Sequence, residues 1–143
     1  MFRHLSLSVV LLLSAMTFAD DYRPISFDRL PEQAQSFIQQ FFNEQTPEVI
    51  LKETEFWADY RVLMPNAIQV EFDHDGSLDK IESHSVALPE GVVPATIVDY
   101  VSSHYPNDRI VEFSISRNHQ SIELSNRLEL EFTLQGVFMG FDD

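Results

Sequence analysis

The apolar positions of this chain change period twice, each time in the same order. Ala34, Phe37, Ile38, Phe41 and Phe42 recur at spacings of three and four residues, the stripe that one face of a helix buries. Pro31 suits the first helical turn, where a missing N–H costs nothing. The period then falls to two. Val62-x-Met64 and Ile68-x-Val70-x-Phe72 alternate across Pro65-Asn66, which predicts a hairpin. Further strands are expected over about 49–57 and 77–83. The second passage repeats the order, with Val92, Val93, Ile97, Tyr100 and Val101 on a helix that has Pro94 in its first turn. Ile122-x-Leu124 and Leu128-x-Leu130-x-Phe132 then alternate around Ser125-Asn126, between strands expected over about 110–116 and 137–141. Both helices should stop ahead of Pro47 and Pro106, because the residue before a proline is biased out of the α region.

The two passages also align residue by residue. Leu30-Pro31-Glu32 returns as Leu88-Pro89-Glu90, and with a shift of 60 positions Asn66 meets Asn126, Glu71-Phe72 meets Glu131-Phe132 and Gly76 meets Gly136. The expected architecture is therefore α+β: a tandem duplication of a helix plus four-stranded antiparallel sheet, helices on one face of the sheet. The expected boundaries are a leader over 1–19, an extension over 20–29, a first repeat over 30–84 and a second over 88–143. Residues 85–87 are too few for a flexible linker, so the two units should abut.

The N-terminus changes the picture of where this unit works. Arg3 and His4 precede an apolar run from Leu5 to Leu13, and Thr17-Phe18-Ala19 supplies small residues ahead of Asp20-Asp21. That is the layout of a secretory signal peptide cleaved after Ala19. The run is shorter than the roughly 18 residues a membrane span needs, so no stable membrane insertion is expected after cleavage, and the mature chain should be periplasmic or secreted. There are no cysteines, so the fold must rest on an apolar core rather than on disulfides. Twelve phenylalanines make that feasible, and four glycines leave no glycine-rich phosphate loop. A net charge of −14 disfavours nucleic acid and anionic lipid and favours a basic protein or peptide, or cations.

The run of Leu-Pro, a helix, Thr46-Pro47 or Tyr105-Pro106, and a hairpin ending in Glu71-Phe-Asp73-x-Asp75-Gly76 resembles the PepSY-like family of exported bacterial proteins. That family is related in fold to the β-lactamase-inhibitor protein. The resemblance spans the chain from about Leu30 and implies a binding or inhibitory role toward other proteins, peptidases in particular, with no active site to carry over. One departure stands out: many members have Asn-Gly at the hairpin, where this chain has Asn66-Ala67 and Asn126-Arg127.

Two sets of residues could carry binding. If the alternating apolar residues face the helix, Arg61, Glu71, Glu123, Arg127, Glu129 and Glu131 face away and form an acidic sheet surface. Trp57, in Phe56-Trp57-Ala58-Asp59-Tyr60, is either a partner anchor or core filling. The second set is Asp73, Asp75, Asp79 and Glu82. With Glu71 and Ser77 they follow the oxygen spacing of a calcium loop, glycine standing sixth. Against calcium, the flanks alternate like strands, and the matching segment from Glu131 to Gly136 lacks both Asp73 and Asp75; a tight turn explains the same residues. His74, His84, His104 and His119 lack the spacing of a helical metal pair. No nucleophile motif surrounds any serine. The functional expectation is an exported, non-enzymatic binding module, inhibitor-like, with a calcium- or cation-responsive protein as the alternative.

Overall fold

Strands that alternate apolar and polar residues bury one face, and this chain extends that rule across its whole width. The computed structural model describes residues 22–54 and 58–142; the expected leader and Trp57 lie outside them. The described elements run β1 (Tyr22–Pro24), α1 (Glu32–Phe42), β2 (Val49–Glu53), β3 (Tyr60–Met64), β4 (Ile68–Phe72) and β5 (Leu78–Glu82). They continue with α2 (Ala95–His104), β6 (Ile110–Ile115), β7 (His119–Leu124), β8 (Glu129–Thr133) and β9 (Phe138–Asp142).

The strands form one sheet in the order β1 to β9, every neighbouring pair antiparallel. One row of cross-strand partners links Ile50, Val62, Val70, Ile81, Phe113, Ile122 and Leu130 from β2 to β8. None of them is more than 7% exposed. Burying an aliphatic or aromatic side chain of this size stabilises by about 1.5–3 kcal/mol, so the row is a main source of cohesion. Both helices join the same core. α1 buries Ala34, Ile38 and Phe42 and sets the Phe37 ring edge-on to Phe72, centroids 5.5 Å apart. α2 buries Ile97 and Val101, and Tyr100 meets Phe132 edge-on at 5.4 Å. The second helix starts only at Ala95, so Val92 and Val93 precede it, although both are buried.

The expected helix-plus-four-strand unit written twice is thereby corrected. Among the described residues the molecule is mostly a nine-stranded antiparallel sheet with only two short α-helices. No sheet edge separates its halves, because β5 pairs with β6 through Lys80↔Ser114, Ile81↔Phe113 and Glu82↔Glu112. β1 adds a ninth strand on β2, from residues expected to be an extension. The connection between β5 and α2 is pinned as well. The Arg109 guanidinium donates to the carbonyls of Ser83, His84 and Val86 at 3.2, 2.8 and 2.8 Å.

Two turns press against the helix starts. In the β4–β5 turn the Gly76 N–H donates to the Asp73 carbonyl at 2.9 Å. Gly76 has φ +88°, and a Cβ there would stand 2.7 Å from Pro31 Cβ and 3.0 Å from the Ala34 nitrogen. In the β8–β9 turn Gly136 makes the same bond to Thr133, and its Cβ would collide with the Thr96 side chain. At the β3–β4 turn Asn66 and Ala67 both have positive φ, 65° and 60°, the geometry that favours Asn-Gly. Alanine there is strained. Opposite effects are expected at these two positions. Gly76→Ala should destabilise by about 2–4 kcal/mol, through strain and collision with backbone that cannot yield. Ala67→Gly should stabilise by about 0.5–1 kcal/mol. Urea denaturation midpoints of both variants check the pair, and shifts of the same sign would contradict this account.

Candidate functional site

The face of the sheet opposite the core follows from the same register. Arg61, Glu71, Lys80, Ser114, Ser121 and Glu131 are consecutive partners from β3 to β8. Arg61 pairs with Glu71 at 3.4 Å and stacks on the Tyr22 ring at 4.4 Å. Ser114 and Ser121 share a hydrogen bond of 2.6 Å. A second outward row runs Gln69, Glu82, Glu112, Glu123, Glu129. Four glutamates thus stand directly opposite one another on four adjacent strands, β5 to β8. Like charges in that relation are destabilising, by roughly 0.2–1 kcal/mol per pair. Lys80 pairs with Glu112 at 3.7 Å, and the His84 ring lies 3.7 Å from Glu82. Among the described residues no ion pair involves Glu123 or Glu129.

Glu112 registers the crowding. Burial pushes its carboxyl above the usual glutamate value; the Lys80 ammonium pulls the other way, and the charges of Glu82 and Glu123 add to the rise. Its side chain is 18% exposed.

Of the residues expected on this surface, Arg61 and Glu71 meet as an ion pair, Glu123 lies opposite Glu129, and Glu131 lies opposite Ser121. Arg127 is in the β7–β8 turn at φ 73°, its N–H bonded to the Leu124 carbonyl. There it lines a cleft of about 300 Å³ with His84, Arg109 and Glu123, at the end of the sheet rather than on its face. Sequence reasoning missed Glu112 and Lys80, and placed Glu82 with the turn acids. Glu112-x-Ser114 alternates visibly, but its face is set by pairing with β5, which lies far away in the chain.

The calcium-like spacing falls on strand, turn and strand. Asp75 accepts from the Ser77 hydroxyl at 2.6 Å and from its N–H at 2.9 Å, and these bonds lower its carboxyl below the usual range. Asp79 falls within the register shift between β4 and β5, and Glu82 belongs to the outward row. Among the described residues no group of three or more His, Cys, Asp or Glu is placed to hold a metal ion. Carboxylates do crowd nearby. Burial, then Asp73, Glu71 and Asp59, raise Asp79; burial, then Glu53 and Asp73, raise Asp59.

Among the described residues catalytic geometry is sparse. The nearest approach is Ser116 Oγ, 2.9 Å from Nδ1 of His119, whose Nε2 lies 3.7 Å from Glu131. The same hydroxyl also donates to the His119 carbonyl at 3.1 Å, so it closes the exposed β6–β7 turn. No described helix is long and apolar enough to cross a membrane.

The burial of Glu112, more than its glutamate neighbours, gives stability an unusual pH dependence. A carboxyl whose folded-state value is raised penalises the folded protein once ionised. The penalty is absent below the unfolded-state value, near 4.5 for glutamate, and is complete above the raised folded value. Glu112→Gln should therefore raise the thermal midpoint at pH 7 and give no gain at pH 3.5. Melting curves at both values check this; a loss at pH 7 would show that the Lys80 pair outweighs the burial.

Comparison with known proteins fits this geometry. Residues 58–140 match the family described as "Putative beta-lactamase-inhibitor-like, PepSY-like". A protein from Bacteroides thetaiotaomicron, described as a "putative calcium-regulated periplasmic protein", is 31% identical with a TM-score of 0.81, covering 87% of this chain and 99% of that one. A "putative periplasmic protein" from Bacteroides vulgatus is 30% identical with a TM-score of 0.77, over 87% and 99%. A second protein from that organism, 23% identical with a TM-score of 0.77 over 85% and 99%, shares the fold. No curated protein matches. The two relatives at 30% identity or more are described as periplasmic, in agreement with the periplasmic or secreted location expected of this chain.

Proposed function

We propose that this chain, which belongs to the PepSY-like family, is a non-enzymatic periplasmic binding module whose open sheet face takes a basic protein or peptide. The observation that carries the reading is the line Glu82–Glu112–Glu123–Glu129. Solubility alone is served by charges scattered over a surface, and stacking like charges on adjacent strands lowers stability. A fold tends to violate such local rules where a site requires it. Lysine or arginine side chains laid across β6 to β8 would convert the repulsion into complementary pairing, raising both association rate and specificity. The inhibitor-like description of the family supports a partner that is itself a protein, and a peptidase is the partner class such a module would restrain.

Immobilised mature chain should retain a partner from periplasmic extract at low salt and lose it as salt rises. The Glu123→Lys/Glu129→Lys/Glu131→Lys variant should retain at least tenfold less. Equal recovery by both proteins would sink the electrostatic reading.

A second reading is a calcium response, favoured by the crowding of Asp59, Asp73 and Asp79 and by the description of the Bacteroides thetaiotaomicron relative as calcium-regulated. The residues as placed do not form a ligand set, so binding would require these carboxylates to converge. Calorimetric titration should then show heat that Asp79→Asn abolishes. No heat at millimolar calcium disposes of the reading.

A further inference from the structure

Apolar exposure is concentrated at one end of the sheet. Leu134, Val137, Met139 and Phe141, on β9 and the turn before it, are 48, 62, 56 and 57% exposed. Among the described residues β9 is an edge strand, and so is β1, but the two edges are built differently. β1 is three residues long, carries Arg23 and ends in Pro24, which are devices that discourage further pairing. β9 is five residues long and has neither lysine nor proline.

The sheet itself shows how such an edge is completed. β5 lies on β4 in a shifted register, Phe72↔Leu78 and Glu71↔Lys80. β9 lies on β8 in the same register, Phe132↔Phe138 and Glu131↔Gly140. The far side of β5 is taken by β6, and Ile81 is fully buried. Phe141 continues the same apolar row after Leu130, yet it is more than half exposed. The outward face also has an opening at this edge. Gly140 lies opposite Glu131, and beyond its own chain neighbours no described atom stands within 4 Å of where its Cβ would be. A long side chain from a tenth strand could cross that gap. The separation is two strand spacings, roughly 9–10 Å, within joint reach of glutamate and lysine or arginine.

We propose that β9 is a strand-addition site for an extended partner segment in which lysine or arginine alternates with apolar residues. Its apolar residues continue the row that ends at Phe141, its cations reach Glu131 over Gly140, and its backbone pairs with the free edge. A second copy of this chain does not supply that pattern. Its β9 has no cation, its Arg23 strand is already paired with β2, and two chains of charge −14 repel. This goes beyond the face-binding reading, since the contact is made by edge backbone and Phe141 rather than by Glu123 and Glu129.

The probe is a fluorescent peptide, acetyl-Lys-Val-Lys-Val-Lys-Val-Lys-amide, titrated into the full mature chain by anisotropy. Two further versions carry N-methyl groups on every valine or on every internal lysine amide. Binding is expected, with at least one methylated version weakened tenfold or more. Phe141→Lys should weaken it at least tenfold with only a small shift of the melting temperature, since its ring also meets Phe138 edge-on at 5.5 Å, whereas Glu44→Lys, at an exposed position just beyond α1, should change it less than threefold. Amide hydrogen exchange of residues 139–141 should slow on saturation. No binding, equal binding of all three peptides, or unchanged exchange in β9 overturns the proposal. So does a dimer of the chain in sedimentation that Phe141→Lys abolishes.

Discussion

The structure depends on cross-strand register. A row of apolar side chains from Ile50 to Leu130 crosses seven strands without a polar interruption, and slipping any strand by one residue would turn its apolar set to solvent. The penalty for a slip is what holds every outward residue in place. The glutamates of β5 to β8 oppose one another because Ile81, Phe113, Ile122 and Leu130 do so on the other side. Burial therefore overrides charge repulsion: about 1.5–3 kcal/mol per buried side chain in the row stands against roughly 0.2–1 kcal/mol per glutamate pair.

The helices and turns support that register. Phe37 and Tyr100 each meet a phenylalanine on the sheet, Phe72 and Phe132, with nearly the same geometry. Gly76 and Gly136 let the turns beyond those phenylalanines lie against the helix starts. Each helix is thus fixed at its first turn and along its length. That leaves the opposite face free of helices among the described residues.

Much of this was legible in the chain, and the omissions have physical causes. Val62, Met64, Ile68, Val70 and Phe72 announce their burial by alternation alone, and all five are buried. Arg61 and Glu71 face outward as that alternation requires. The single sheet was not legible, because pairing between residues 78–82 and 110–115 is decided by tertiary packing and leaves no local pattern. β1 was missed since three residues ending in proline carry too little periodicity to read. Glu112 could not be placed on a surface until its strand had a neighbour. The calcium-like spacing is a different case: Glu71, Asp73, Asp75, Ser77 and Asp79 are alternate residues, but the turn and the register shift divide them between β4 and β5, so spacing along the chain does not fix how near their oxygens come.

The line of glutamates is not a straight stripe. Adjacent strands rotate by roughly 20–25°, so from β5 to β8 the line turns through about 60–75° while advancing only about 14–15 Å. A flat, rigid surface laid on the sheet would touch two of these carboxylates and stand away from the others. A partner able to engage all four must wind with them, as a flexible tail does or as a ridge with matching twist. Curvature, as much as charge, is therefore a filter on what this sheet can hold.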